Sequence, residues 1–403
     1  MRKSSIQAAV AALVLSSAAM FVPNAHSADA APKKKAWPSQ MRELEKTLND
    51  LLFDTSSDAR FNDKKNFDTI NKNAAKFAKL AGELNGKTAV PDKDPSLRMI
   101  GEDFAKEAKY AASAMAAGHR EYARVMYGSI TGYCIACHTR NPTGPQFTNF
   151  KVDSRLSGLK PLEKANYLAA TRNFEPAFEE YEKVVKGGAV DSDTPFASER
   201  AVRGALGIAV RVKRDPDLAL NLVDLVLKNA KTPFYLRERA NQWKKSLLEW
   251  KAEKKKTGLS GEALYEEAIR VVGAAKATQK FPVDRSADVL YLRASSVVHD
   301  LLGTSMPGPL AAKANYLAGL CYEVLDDYGI RDFNEYYYMA CIRADPHTVF
   351  ARECYRRYEE SVYFGYTGSS GTYVPADVRA RLNEFELLSV PVATPKASDG
   401  GLQ

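Results

Sequence analysis

The sequence predicts an all-α protein, in which a four-helix bundle precedes an α-solenoid of stacked helix pairs. Apolar residues recur every three to four positions along most of the 403-residue chain, which is the spacing that one helix face requires. No strand-like alternation is sustained between residues 162 and 388. Proline and glycine punctuate the periodic segments and predict helix ends. The hydrophobic fraction of 45% and the charged fraction of 26% exclude a mostly disordered or polytopic membrane chain.

The first 27 residues have the three parts of a secretory signal peptide. A positively charged start precedes an apolar stretch from Ile6 to Val22, and Ala25-His26-Ser27 fits a small-x-small cleavage site. The apolar stretch is shorter than the roughly 20 residues that span a bilayer, which favours cleavage over anchoring. We therefore expect a signal peptide over residues 1–27, a linker over 28–36, and an exported, periplasmic mature chain without a membrane span.

The net charge of +8 is modest and is spread along the chain rather than concentrated. A nucleic-acid partner would favour a clustered basic patch on one face of the protein. We therefore expect no nucleic-acid partner.

Four helices are predicted within residues 37–145. The first follows Ser39 as its cap, the second covers Phe67 to Leu84, the third runs from Pro95-Ser96 to Ala117-Gly118, and the fourth covers Glu121 to Cys137. A short closing turn makes the third and fourth helices antiparallel neighbours. These features predict an up-down bundle that ends on a cysteine-rich motif.

That motif is Cys134-Ile135-Ala136-Cys137-His138, the C-x-x-C-H attachment pattern of a c-type haem. Two thiols on one helical turn add to the two vinyl groups of haem, and the next residue binds the iron through a ring nitrogen. A zinc site would need two more ligands, and the sequence offers no second close pair of cysteines or histidines. The motif predicts one covalent haem c, held by Cys134 and Cys137, with His138 on the iron.

The segment from about Trp37 to Arg140 resembles the class II c-type cytochromes, which are cytochrome c-prime and its low-spin relatives. The resemblance rests on the C-x-x-C-H motif at the end of the fourth helix. It implies a four-helix haem domain. This class usually carries an arginine four residues after the histidine, where this chain has Pro142. Arg140 is then the candidate partner for a haem propionate.

Met41 is the candidate distal ligand of the iron, and Met99 is the runner-up. In an up-down bundle the starts of the first and third helices lie beside the end of the fourth, and these methionines occupy those starts. Low-spin members of the resembled class take their methionine from the first helix, which favours Met41. Both methionines could instead be core residues, which would leave an open or water-filled iron position. His119 and Met126 lie too far from His138 along the helix, at about 30 and 18 Å.

Residues 155–390 resemble degenerate tetratricopeptide repeats. The segments beginning at Ala165-Asn166-Tyr167-Leu168 and at Ala314-Asn315-Tyr316-Leu317 are each followed by a second apolar-periodic segment. Such repeats place small residues where paired helices cross and aromatic residues between neighbouring pairs. An irregular helical domain is the alternative. The resemblance implies docking of a protein partner, and residues 391–403 are expected to be a flexible tail.

Three cysteines remain after the haem motif, namely Cys321, Cys341 and Cys354. All three could be small apolar core residues, and Cys321 could pair with Cys341. If a disulfide forms, Cys341–Cys354 is favoured, because the two residues flank a predicted turn at Asp345-Pro346 between two helices.

These observations predict an exported monohaem c-type cytochrome that transfers electrons and docks a redox or structural partner through its repeats. A haem-based sensor or small-gas-binding protein that signals through the repeats is the first alternative. A periplasmic scaffold with a structural haem is the second. We expect no enzymatic activity, because no distal catalytic histidine or arginine of a haem peroxidase can be identified.

Overall fold

The computed structural model describes residues 37–56, 58–84, 94–140, 158–187, 196–254, 257–282, 284–325 and 332–392. The predicted signal peptide, the linker and nearly all of the predicted tail lie outside these residues. The described residues form one compact all-α unit, which confirms the predicted fold class. None of the described helices is both long enough and apolar enough to cross a membrane.

The first part of this unit is the predicted bundle. Its helices are α1 (Trp37–Thr55), α2 (Asp58–Asn62), α3 (Phe67–Leu84), α4 (Pro95–Ala116) and α5 (Arg120–Arg140), with a 3₁₀ turn at Lys64–Asn66. Helix α1 begins before the predicted cap Ser39, because Pro38 is tolerated in a first helical turn, where backbone N–H groups have no partner anyway. Helix α5 continues to Arg140, so the whole C-x-x-C-H motif is helical.

Aromatic rings hold the bundle together. The ring of Phe77 on α3 makes edge-to-face contacts with Phe104 on α4 and Tyr127 on α5, at centroid distances of 5.7 and 6.2 Å. All three side chains are almost fully buried, and burial of such a side chain contributes roughly 1.5–3 kcal/mol. Helix α4 is started by Asp94, whose carboxylate accepts a hydrogen bond from the Ser96 N–H at 2.9 Å.

The second part is a series of helices, most of which pack on their neighbours in sequence. They are α6 (Pro161–Ala170), α7 (Phe174–Gly187), α8 (Ala197–Gly207), α9 (Pro216–Lys228), α10 (Phe234–Ala252), α11 (Gly261–Thr278), α12 (Asp288–Leu302), α13 (Gly308–Tyr322), α14 (Phe333–Ala344), α15 (Val349–Gly365) and α16 (Ala376–Ser389). A π-helical turn, Ile208–Lys213, extends α8. The segment before α16 contains a small β-hairpin that pairs Thr367–Gly368 with Gly371–Thr372.

Helix crossings in this solenoid use glycine against tyrosine. A Cβ atom on Gly204 would lie 2.6 Å from the ring of Tyr181, and one on Gly319 would overlap the ring of Tyr338. Tyr181 is also fixed by a hydrogen bond from its hydroxyl to Asn166 at 2.7 Å. Any larger residue at these two glycines would therefore push the paired helices apart.

One side of the bundle contributes to the apolar core of the solenoid, while most of the bundle has a core of its own. Met99 and Ile100 on α4, and Ile135 and Ala136 on α5, belong to the same buried cluster as the solenoid helices from α6 to α14. Helix α5 packs on α6 and on the π-helical turn, and α4 packs on α14. The end of α5, which carries the motif, is therefore enclosed by solenoid helices as well as by the bundle.

Cys341 on α14 and Cys354 on α15 form a disulfide, with a Cα–Cα distance of 6.3 Å. This is the pair that the sequence favours. Cys321 is a buried free thiol, in keeping with the core role that the sequence leaves open for it. The disulfide joins two helices far from the motif in sequence and contributes to folding rather than to chemistry.

Candidate functional site

An apolar cavity lies where the end of α5 meets the starts of α1 and α4, with α3 and α6 completing its walls. It encloses about 660 Å³ of space free of protein atoms, counted with its open mouth. Its walls are mainly aliphatic and aromatic, and they include Leu44, Leu48, Leu97, Ile100 and Phe104.

Both cysteines of the motif line this cavity. Cys134 and Cys137 are half-buried free thiols on one turn of α5. Burial, with a smaller effect of the neighbouring Cys137, raises the pKa of Cys134 to about 12, and burial also raises the pKa of Cys137. A redox dithiol requires the opposite shift, because the thiolate is the reactive form. The site therefore presents two protonated thiols side by side at the cavity wall.

His138 is oriented through one ring nitrogen, while the other receives no hydrogen bond from a described residue. Its Nδ1 lies 2.6 Å from the carbonyl oxygen of Ala170 on α6. Because a carbonyl only accepts hydrogen bonds, Nδ1 carries the proton and Nε2 keeps its lone pair. No hydrogen bond from a described residue reaches Nε2. Burial, reinforced by the charge of Arg172 and opposed by the Ala170 hydrogen bond, lowers the pKa of His138 to about 3, so the ring is neutral.

The two candidate distal methionines lie in different surroundings. Met41 lines the cavity and is half-buried, as are Cys134 and Cys137. Met99 is only 3% exposed and packs in the core that the bundle shares with the solenoid, and it does not line the cavity. The structure thus brings Met41, rather than Met99, to the same cavity as His138.

A carboxylic acid that the sequence analysis missed lies one helical turn after Met41. Among the described residues that line the cavity, Glu45 is the one carboxylic acid. Burial raises its pKa to about 7, against the opposing charge of Arg42. Its signal in the sequence is an acidic residue on the apolar face of α1, directly after Leu44.

Arg140 does not line the cavity, contrary to its expected role beside a haem propionate. Its guanidinium carbon lies 4.5 Å from the ring centroid of Tyr322 and 4.3 Å from that of Phe333. Its Nη1 donates a hydrogen bond of 2.8 Å to the Ala136 carbonyl. The physical reason is that α5 continues as a helix to Arg140, which turns this side chain towards α13 and α14.

The turn between α6 and α7 was also missed, because the sequence assigns it to the other domain. Ala170 and Thr171 line the cavity, and Arg172 follows them. The charge of Arg172 acts on both His138 and Cys137: it adds to the effect of burial in lowering the pKa of His138, and it opposes the effect of burial, which raises the pKa of Cys137. The side of the cavity that carries His138 is therefore built partly by the first helix pair of the solenoid.

A second buried histidine, His299 on α12, lies in a polar network behind the end of α5. Its Nδ1 donates to Asp94 at 2.8 Å, and its Nε2 accepts from the Tyr322 hydroxyl at 2.8 Å. That hydroxyl accepts in turn from Arg211 at 3.0 Å, and Tyr337 donates to Asp94 at 3.1 Å. The hydrogen bonds from Arg211 through Tyr322 and His299 to Asp94 therefore run in one direction, from a buried guanidinium to a buried carboxylate.

Charge in this network is balanced across the boundary between bundle and solenoid. Burial alone would raise the pKa of Asp94, but His299, Arg140 and Ser96 together hold it at about 2, so Asp94 is ionised. Burial lowers the pKa of His299, so the ring is neutral near pH 7. Arg211 is placed inward by the π-helical turn and is only 2% exposed. The network thus joins α4 to α12, α13 and α14.

The residue types at this cavity match those that would hold a covalently attached haem. A haem supplies four iron ligands from its porphyrin, so the protein needs to supply only one or two. Two adjacent thiols, an oriented imidazole lone pair and apolar walls are the donor set that haem c requires. In the part of the chain that the structure describes, no three His, Cys, Asp or Glu side chains converge as a metal site of their own. Comparison with protein-family models, curated proteins and solved structures finds no significant match.

Proposed function

We propose that the chain is an exported monohaem c-type cytochrome that transfers electrons. The observation that supports this most directly is the geometry of His138, whose Nδ1–H is held by Ala170 while Nε2 remains available beside two protonated thiols. A buried histidine with a structural role normally uses both nitrogens, as His299 does here. The site is arranged to hold a metal through one imidazole nitrogen.

The residues of the site each have a definite task in this function. Cys134 and Cys137 would each add a sulfur and a proton across a vinyl group, forming two thioether bonds that keep the cofactor in place. Haem iron, when bound, takes up and releases one electron between its ferric and ferrous states. The Ala170 carbonyl holds the imidazole in one tautomer, and the apolar walls exclude water. Met41 supplies a thioether at the cavity as the candidate distal ligand.

The rest of the chain is proposed to export the protein and to bind a partner. The solenoid would dock a redox or structural protein, as stacked helix pairs commonly do. The N-terminal segment would direct the protein to the periplasm, where disulfides such as Cys341–Cys354 persist. No step of an enzymatic reaction is needed in this function.

An absorption experiment tests the proposal. The full-length chain is expressed in a host that exports it and attaches c-type haem, and spectra are recorded oxidised, reduced and in alkaline pyridine. We expect a reversible redox change and the pyridine spectrum of a haem with two thioether bonds. Cys134→Ser/Cys137→Ser should lose covalent haem, whereas Cys321→Ser, which changes a buried thiol elsewhere, should keep it. Wild-type protein that is exported and folded but colourless would overturn the proposal.

The alternative of a gas-binding sensor is favoured by the free space and the carboxylic acid on the distal side of the cavity. Binding of carbon monoxide by the reduced protein distinguishes the sensor from the electron carrier. A reduced protein that binds carbon monoxide rapidly has an exchangeable iron position and supports the sensor, whereas an unreactive low-spin iron supports electron transfer. Met41→Ala should create carbon monoxide binding in the second case, and Met99→Ala should not. A redox-inert haem with an intact partner complex would instead indicate a structural haem in a scaffold.

A further inference from the structure

We infer that Gly101 on α4 is a specificity-determining residue of the cavity. Its bare backbone leaves room for a flat ring system, such as the porphyrin of haem, to pack directly against the helix, and a side chain at this position would exclude that ring. This assignment rests on the proposed function and names the wall of the cavity on which its cofactor lies.

Gly101 belongs to the helical face that α4 presents to the cavity. The cavity-lining residues of α4 are Leu97, Ile100, Gly101 and Phe104, which follow the i, i+3, i+4, i+7 spacing of one helix face. A Cβ atom on Gly101 would therefore point to the same side as Leu97 and Phe104. In the described part of the chain, no atom beyond the adjacent residues and the local helix backbone lies within 4 Å of that Cβ position. The cavity thus reaches the backbone of α4 at this residue.

Neither the backbone nor the packing of the described residues requires glycine at this position. The backbone of Gly101 is ordinary right-handed helix, and glycine is the least favourable residue after proline in a helix interior. Gly204 and Gly319 differ, because a Cβ atom on either would collide with a tyrosine ring. The space that Gly101 keeps open in the cavity explains a residue that is unfavourable for its own helix.

The opposite wall of the cavity has the same spacing but is filled. Helix α1 lines it with Met41, Leu44, Glu45 and Leu48, again at i, i+3, i+4 and i+7. Both α1 and α4 pack on α3 and α5, so they face each other across the cavity. Glu45 has the place in this spacing that Gly101 has on α4. One wall therefore carries a sulfur and a carboxylic acid on the distal side, and the other offers bare backbone.

Helix α4 is held in place by the solenoid and does not move aside for a side chain at Gly101. Asp94, which starts the helix, accepts hydrogen bonds from His299 at 2.8 Å and from Tyr337 at 3.1 Å. Met99, two residues before Gly101, is only 3% exposed and packs in the core of the solenoid. An added side chain would therefore displace the occupant of the cavity rather than the helix.

The amount of attached haem should fall as the side chain at Gly101 grows. Gly101→Leu should lower the ratio of covalent haem to polypeptide by about tenfold, because a side chain forced into a filled site costs that much in free energy. Gly101→Ala adds one methyl group and should give an intermediate ratio, with shifted absorption bands in the haem that is attached.

The experiment compares the exported full-length wild type with Gly101→Ala, Gly101→Leu, Gly128→Ala and Gly128→Leu. Gly128 is the matched control, because it is also a helix-interior glycine with open space at its Cβ position, but it is exposed on α5 and does not line the cavity. Intact mass spectrometry measures the haem ratio, and urea unfolding is followed for each variant in the haem-free Cys134→Ser/Cys137→Ser background. Both Gly128 variants should keep the wild-type ratio, and no glycine variant should be less stable than that background.

The double variant Leu97→Ala/Gly101→Leu separates position from volume. It moves side-chain volume by one helical turn, so the total volume of the cavity changes little while the backbone at Gly101 is covered. The haem ratio should stay low. Recovery of the wild-type ratio would show that only the total volume matters, and it would reject the assignment of Gly101.

Two further results would overturn the inference. One is an equal haem ratio in Gly101→Leu and Gly128→Leu. The other is a loss of stability in haem-free Gly101→Ala, which would assign the glycine to packing. If Gly101→Leu does not fold, Gly101→Ala decides alone, and a wild-type haem ratio with unshifted absorption bands rejects the inference. A wild-type chain without haem would instead reject the proposed function, and this inference with it.

Discussion

His138 and His299 are both buried near the end of α5, yet their surroundings differ. His138 uses Nδ1 on one backbone carbonyl and directs its remaining nitrogen to no described partner. His299 uses both nitrogens, on Asp94 and Tyr322, within a network that runs from Arg211 to Asp94. Residues of the bundle and of the solenoid contribute to both sites. The number of nitrogens that are already bonded, rather than burial, separates a site that binds something from a site that holds helices together.

The two sites also differ in how completely their polar groups are hydrogen-bonded. In the His299 network the described polar groups exchange hydrogen bonds with one another, so a buried carboxylate and a buried guanidinium are tolerated across the boundary between bundle and solenoid. The His138 cavity instead leaves thiols, a lone pair and a carboxylic acid facing free space. Such incomplete satisfaction is typical of functional sites, where a ligand completes the set of contacts.

The largest expected effect comes from His138→Ala. This change removes the nitrogen that the proposed function places on the iron, so we expect the absorption spectrum of the holoprotein to be lost, while the free energy of unfolding in denaturant changes far less. His299→Ala should leave the spectrum intact. Spectra of the two variants under identical conditions check this reciprocal behaviour. If His299→Ala alone abolished the spectrum, the assignment of roles to the two histidines would be reversed.

His299→Ala should have its main effect on folding. Removing this ring takes one hydrogen-bond donor from the buried Asp94 carboxylate and the acceptor from the Tyr322 hydroxyl, and such a loss at a buried charged group costs about 3 kcal/mol or more. Urea unfolding, followed by circular dichroism, measures the free energy. His119→Ala, at an exposed position, is the control and should change stability by less than about 0.5 kcal/mol. Equal free energies of unfolding for the two variants would show that the network does not stabilise the fold.

Cys341→Ser/Cys354→Ser should have a somewhat smaller effect, and only on stability. The closed loop is short, and the chain-entropy model gives roughly 3 kcal/mol for a loop of about 15 residues. The haem spectrum should not change, because α14 and α15 do not line the cavity. Peptide mapping without reduction checks the bridge itself. Recovery of both cysteines as free thiols from exported protein would exclude it.

The smallest expected effect is a pH dependence that belongs to His299. Burial lowers the folded pKa of His299 below its unfolded value of about 6.5, so the unfolded state binds the proton first. The stability that His299 contributes is therefore complete above that pH and is lost as the pH falls, by up to about 1.4 kcal/mol per unit. Asp94, Arg140, Arg211, Tyr322 and Tyr337 are the titratable or charged groups around this ring.

The difference in unfolding free energy between wild-type holoprotein and His299→Gln, measured from pH 8 to pH 5, isolates this contribution. Other buried acids have raised pKa values and act in the opposite sense, but they cancel in the difference. The advantage of the wild type should shrink below pH 6.5. If the difference in unfolding free energy stays constant or grows as the pH falls, the His299 ring is not neutral in the folded protein.

Local features of the sequence predicted most of the helices and the centre of the site. The boundaries of α3 follow from its apolar spacing and those of α4 from Pro95-Ser96 and Ala117-Gly118, and the C-x-x-C-H motif lies on a helix as its spacing requires. The placement of Met41 at the cavity follows from the up-down order of the bundle. Each of these depends on neighbours in sequence or on a simple topology.

The parts that sequence did not predict depend on distant contacts. The carbonyl that orients His138 lies 32 residues further along the chain, and the carboxylate that binds His299 lies 205 residues before it. Helical periodicity carries no information on such pairs. The position of the Arg140 side chain could not be predicted for the same reason. Its guanidinium lies on aromatic rings of α13 and α14 rather than in the cavity, and only the packing of these helices reveals it.

The most direct test of the central claim is whether haem stays on the polypeptide when its iron ligands are removed. The exported protein is denatured, extracted with acidified ketone and analysed by mass spectrometry, beside Cys134→Ser/Cys137→Ser. We predict that haem remains with the wild-type chain, as one added haem mass on the peptide that contains Cys134 and Cys137. Haem that leaves entirely with the solvent, or an unmodified peptide from coloured protein, would contradict covalent attachment at this site.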